Sequence, residues 1–181
     1  MPLFQDPRLP IIEAELARVA SAYAEVLDAL PPERQDAAPE GRWSPVQIVA
    51  HISKVQYWVT KVLGEAEAAL PPMSTVPPGP APSRVLSLLD RFPVLDRSRT
   101  VSAPAGSQAP RGLVLAEERR RWVDGRAALT STLARLGPRL SGVRADHPAF
   151  GSLDGWQWAL FVARHEERHL AQLREVVAET V

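Results

Sequence analysis

Hydrophobic positions recur at three- and four-residue spacing in four separate stretches of the chain, the period of an α-helix with one buried face. In the first, roughly Pro10 to Leu30, the residues Ile12, Leu16, Val19, Tyr23, Val26 and Leu30 make one stripe. Pro31-Pro32 ends it, because proline has no N–H to donate and its ring clashes with the preceding turn. The second stripe is Ile48, Ile52, Val55, Val59 and Val62, and its start is written in Trp43-Ser44-Pro45-Val46-Gln47-Ile48. Ser44 suits the N-cap, Pro45 the first helical position and Gln47 the return arm of a capping box. Trp43 and Ile48 occupy the two hydrophobic staple positions. This helix is expected to reach about Gly64 or Ala69. The third, Leu113 to Leu136, places Leu115, Trp122, Leu129, Leu133 and Leu136 on one face and stops at Gly137-Pro138. The fourth begins near Asp154, with Gln157 at the capping-box position, and runs to about Glu179. Its inner face carries Trp158, Phe161, Val162, His165, His169, Leu173 and Val176.

Between the second and third stretches the pattern fails. Pro71 to Pro82 is proline-rich, a short helix is expected at Ser83 to Arg91, and Phe92 to Gly112 reads as loop. Loops this long usually carry function or pack as lids. A linker between two domains is the competing reading, but neither half alone has enough helices to close a core. No stretch shows a strand pattern and none repeats. The prediction is an all-α four-helix bundle, with long proline-rich connections between helices 2 and 3, as a single domain over residues 1–181.

Composition narrows the function. Lysine plus arginine and aspartate plus glutamate number 21 each, so no field of one sign draws the whole chain to nucleic acid or an anionic membrane. The consecutive Arg119, Arg120 and Arg121 read as a solvated helix face. The chain has no cysteine, which excludes disulfides, thiolate zinc sites and a cysteine nucleophile. The opening residues Met1 to Pro7 lack a signal-peptide pattern, and there is no apolar run of the roughly 18 residues a spanning helix needs. A cytoplasmic protein with a small-molecule substrate, and with no nucleic-acid or membrane partner, is the expectation.

Only four histidines occur, and two of them, His165 and His169, lie four apart on the fourth helix. Residues at i and i+4 stack on one face, so the two imidazoles can grip one ion. His51 lies about two turns into the well-capped second helix and borders its stripe. A pair from one helix with a third ligand from another is how bundles build metal sites. Three neutral ligands leave a divalent ion its full charge and open positions, the pattern of a catalytic site. Imidazole suits zinc, nickel, iron and copper. His165-Glu166-x-x-His169 also matches the zinc-peptidase pattern, with the glutamate as general base. That reading fails on context: only 12 residues follow His169, and they continue the same helix.

Three blocks carry a wider similarity: Trp43 to His51, His147-Pro148-Ala149-Phe150-Gly151, and His165 to Leu173. In their order and spacing the chain resembles the DinB-like (DinB/YfiT-like) family of metal-binding four-helix bundles. The resemblance implies His51, His165 and His169 as metal ligands. It also implies a divalent ion, zinc or nickel before others, and homodimers formed through helix faces. Characterised relatives use low-molecular-weight thiols such as bacillithiol or mycothiol, as S-transferases or as a thiol-dependent isomerase.

The leading expectation is therefore a metal-dependent thiol S-transferase, with a metal-dependent hydrolase and a non-enzymatic ligand-binding bundle as alternatives. Glu166 is a candidate for proton transfer or for a supporting role beside the metal, and could equally face solvent. Arg126, on the inner face of the third helix, is a candidate pocket or catalytic residue as an anion clamp, or else snorkels out or pairs with an internal acid. Trp58 is a candidate pocket residue. His147, before a proline, reads as a turn, surface or loop-packing residue outside the histidine triad, with a pocket-lining role as the alternative.

Overall fold

Ser44 opens its helix as the local sequence requires. Its hydroxyl accepts from Gln47 N–H at 3.4 Å, and Gln47 Oε1 accepts from Ser44 N–H at 3.0 Å, closing the capping box. The computed structural model describes residues 6–72, 82–98 and 105–179. Among these are four long helices: α1 (Leu9–Asp28), α2 (Pro45–Ala66), α3 (Leu115–Leu136) and α4 (Gly155–Glu179). Each agrees with its predicted stretch to within a few residues, and the bundle architecture stands. In α1 and α2 the stripe drifts by one position towards its end. Leu27 and Leu63, rather than Val26 and Val62, reach the core, as expected when a 3.6-residue period is followed for five or six turns. α4 packs on both α1 and α2, and α2 also packs along α3.

Of the proline-rich connection, residues 73–81 lie outside the described set, as do 99–104 of the loop that follows. The helix expected at Ser83 to Arg91 is instead a 3-10 stretch, Pro82–Ser87, followed by turns. Six residues with a proline at the start are too few to nucleate a stable α-helix without packing support.

The absence of strands needs correction too. β1 (Ala145–His147) and β2 (Gly151–Leu153) form an antiparallel hairpin with Ala145 opposite Leu153 and His147 opposite Gly151. Three-residue strands are too short to show an alternating pattern. Gly151, at φ 71, turns the chain back through a conformation that L side chains rarely adopt. The hairpin and the 3-10 stretch Gly137–Gly142 cover the first turns of α4. Trp158 Nε1 donates to Ala145 O at 3.3 Å, and Trp156 Nε1 to Ser141 Oγ at 3.1 Å. Residues 158–163 are consequently buried all round the helix, not along one stripe. No helix among the described residues is long and apolar enough to cross a membrane.

Candidate metal centre

The second and fourth helices bring His51, His165 and His169 together. One ligand nitrogen from each lies within 4.8 Å of the others. His51 is buried, while His165 and His169 are partly exposed. His51 Nε2 sits 3.3 Å from His165 Nε2. Tetrahedral nitrogen ligands about 2.0–2.1 Å from one ion are about 3.3 Å apart, so this edge fits a shared ion.

The far nitrogens of two rings are held. His51 Nδ1 bonds the Ser107 carbonyl at 2.9 Å. A carbonyl only accepts, so the ring proton is on Nδ1 and Nε2 presents its lone pair inward. His169 Nδ1 meets Gln172 Oε1 at 2.8 Å, which gives it the same tautomer. Outer partners of this kind fix ring orientation and raise ligand basicity. His165 Nδ1 is buried without a partner among the described residues. Burial depresses all three pKa values, joined by the charge of Lys54 at His51 and by the neighbouring rings at His165 and His169. His51 is lowered, His165 lies well below its ordinary value, and His169 falls to about 3. The rings are thus neutral near pH 7, the form that binds metal. The donor set fits a divalent ion.

Ser107 belongs to the long loop before α3, and that loop is fastened along one face of α2. Gln47 Nε2 donates to Ala109 O at 3.0 Å, His51 Nδ1 to Ser107 O, and Lys54 Nζ to Gln108 O at 2.6 Å. Positions 47, 51 and 54 follow the four-and-three spacing of one helix face. Trp43, predicted as a staple, also lies against the cluster. Its ring is 4.7 Å from His51 and stacks on His169 at 6.0 Å.

Glu166 does not face solvent. It is fully buried, and its carboxylate is not among the converging ligand atoms. Trp122 Nε1 donates to Oε1 at 3.2 Å and Arg126 Nη2 donates to Oε2. The Glu166 carbonyl accepts from Tyr23 O–H at 3.1 Å. Arg126 therefore pairs with an internal acid. Burial raises the Glu166 pKa, against the pull of Arg126 and Trp122.

Trp58 is 41% exposed and meets the centre only through other rings. Its edge contacts Trp158 at 5.1 Å, Trp158 contacts Phe161 at 5.6 Å, and Phe161 contacts His165 at 5.3 Å. His147 lies closer than its turn-like sequence suggests. It packs against Phe150, Phe161 and Trp158. The usable sequence signal was the aromatic face at 158 and 161, one turn before His165.

The model of the DinB superfamily matches residues 15–173. The chain is 25% identical over 135 residues to YuaE of Bacillus subtilis (strain 168), described as uncharacterized, with 74% of this chain and 76% of that protein covered. It is also similar to the crystal structure of TT2238, a four-helix bundle protein, with a TM-score of 0.60 and 20% identity over 92% of this chain and 98% of that one. With the family match reaching into all four helices and covering all three histidines and the capped start of α2, this chain belongs to the DinB superfamily.

Proposed function

We propose that this protein is a metal-dependent transferase in which a low-molecular-weight thiol is activated at the three-histidine site and adds to a small electrophile. The observation that carries this reading is the convergence of three neutral imidazoles, one buried and two partly exposed. A divalent ion, zinc or nickel, would be held by His51, His165 and His169. Bound there, it would favour the deprotonated form of a thiol or water that reaches its open side.

The chain's own residues supply orientation. Ser107 and Gln172 fix two of the rings, and Trp43 covers one flank. Glu166 and Arg126 act as positioning residues that lock α3 to α4 beside His165, with Trp122 as the third member. Trp58 ends the aromatic row that leads inward to Phe161.

Elemental analysis of protein purified without a histidine tag tests the metal, with about one equivalent per chain expected and loss of it in His51→Ala and His169→Ala. A screen of several cofactor thiols against electrophiles then tests the reaction. Thiol-dependent product that vanishes with the metal supports a transferase. Ester cleavage without any thiol favours the hydrolase.

A further inference from the structure

His147 stands at the end of β1, and the turn that follows fixes its tautomer. The Ala149 backbone N–H donates to His147 Nδ1 at 3.1 Å. In the neutral ring the proton is therefore on Nε2. That Nε2–H has no partner among the described residues, and the ring is half-buried.

Its surroundings are aromatic. Phe150 stacks on it at 4.4 Å with the planes 12° apart, Phe161 meets it edge-on at 4.7 Å, and Trp158 lies at 5.3 Å. Phe92 extends this wall from behind Phe150 at 4.9 Å. The phenyl ring of Phe161 also touches His165, at 5.3 Å. His147 and a proposed metal ligand thus lean on the same ring. Phe92 and Phe150 keep part of their surface exposed, while Trp158 and Phe161 are buried behind them; a partly open apolar wall with one oriented polar group beside a candidate metal centre is the usual make-up of a small-molecule site. Unlike His51 and His169, whose proton-bearing nitrogens are already bonded, His147 keeps its N–H for something else.

We propose that His147 is a substrate-binding residue of the three-histidine site, its Nε2–H donating to a carbonyl or carboxylate oxygen of a substrate whose body is aromatic or similarly flat and apolar. This rests on the metal reading above.

Two substitutions separate this role from simple turn closure. In His147→Asn, the side-chain oxygen can replace Nδ1 as acceptor for Ala149 N–H, but nothing reaches the Nε2 position. In His147→Gln, the amide reaches the Nε2 position and can donate, while the turn loses its acceptor. Cobalt(II)-loaded protein is titrated with benzoate and with phenylmethanethiol, and binding is followed in the visible spectrum of the ion. The thiol has the same apolar body and no acceptor beyond its sulfur. We expect His147→Asn to weaken benzoate about tenfold, the effect of one lost hydrogen bond to a charged group, and to leave the thiol unchanged. His147→Gln should retain benzoate affinity to within about threefold.

Unchanged benzoate binding in His147→Asn overturns the proposal, as does equal weakening of both ligands. So does a larger loss in His147→Gln than in His147→Asn, which is the order turn closure demands. Nitrogen chemical shifts of the metal-free protein give a second readout, and a proton on Nδ1 of His147 would also overturn it. Failure of the wild type to take up cobalt sinks the metal reading and this one together, whereas normal uptake with benzoate indifferent to residue 147 sinks this one alone.

Discussion

His51 Nε2 faces His165 Nε2 at 3.3 Å, and the proton that His51 gives to Ser107 leaves its own Nε2 with only a lone pair to offer. Metal binding should therefore depend on the outer partners as well as on the ligands. Gln172→Leu removes the acceptor that holds His169 Nδ1. It should weaken metal about 10–100-fold while leaving the fold intact, as losses of such partners do. Saturating metal at about 100 times its Kd should in turn raise the wild type's stability by about 2.7 kcal/mol. Calorimetric titration and urea melts with and without metal check both, and equal metal affinity in Gln172→Leu would count against the assigned tautomer.

Glu166 and Arg126 make a second relationship with a measurable consequence. The carboxylate is fully buried, and Arg126 is 16% exposed. Removing one partner of a buried pair leaves an uncompensated charge and costs about 3–5 kcal/mol. Arg126→Met should sit near the lower figure, because Trp122 still bonds Glu166 Oε1. The double variant Arg126→Met with Glu166→Met should recover most of the loss, since a matched apolar pair has no charge to bury. Urea unfolding at constant m-value reads this. A single variant within about 1 kcal/mol of wild type would show that the pair does not hold α3 to α4.

The parts that were legible in the sequence are those written locally. The start of α2 follows from six consecutive residues, and the chelating pair follows from a spacing of four on one helix. His51 needed the family's block order, because no local rule says that two helices will place their histidines opposite each other. Glu166 has no settled side in the sequence, because a carboxylate is normally solvated. It continues the buried row of Val162, Leu170 and Leu173, and its burial depends on Trp122 and Arg126 arriving from α3. Gln56 is the same kind of miss. A fully buried amide in α2, it donates to Trp122 O at 2.9 Å, and only the close approach of α3 makes that partner available. The hairpin, and with it the position of His147, rests on contacts with α4 that appear only after the bundle has formed.

Asp6 should give the fold an acid-sensitive contribution. Arg8 Nε and Nη2 donate to its two oxygens at 2.8 and 2.7 Å, and Arg8 N–H donates to Oδ1 at 3.0 Å. Arg8 also lies over Trp156 at 4.2 Å and reaches Ser141 Oγ at 3.1 Å, which ties the start of α1 to the start of α4. Burial alone would raise the Asp6 pKa, but the Arg8 hydrogen bonds and charge outweigh it and leave the pKa below 3.8. A depressed carboxylate stabilises the fold above its unfolded-state pKa, and the contribution is lost as pH falls through the folded value. The stability gap between wild type and Asp6→Asn should be full at about pH 6, above the ordinary carboxylate range, and should shrink as pH falls below that range. Denaturant melts across that range check it, and a gap that persists in acid would contradict it.

Two glycines in helices should respond to alanine with opposite signs. Alanine is the better helix former by about 1 kcal/mol in a helix interior, which predicts a gain at Gly64 and a smaller one at the start of a helix, where Gly155 stands. Gly64, near the end of α2, has nothing within 4 Å of the position a Cβ would take, and Gly64→Ala should stabilise by about 0.5–1 kcal/mol. At Gly155, the first residue of α4, a Cβ would stand 2.7 Å from Leu140 Cδ2 and 2.8 Å from the Leu140 carbonyl oxygen. The side chain can rotate away, but the carbonyl cannot move without shifting the 3-10 stretch Gly137–Gly142 against α4. Gly155→Ala should therefore destabilise by about 1–3 kcal/mol, the usual cost of overpacking. Thermal melts of the two variants side by side check the sign, and a stabilised Gly155→Ala would mean that the approach of Leu140 to α4 is looser than 2.8 Å.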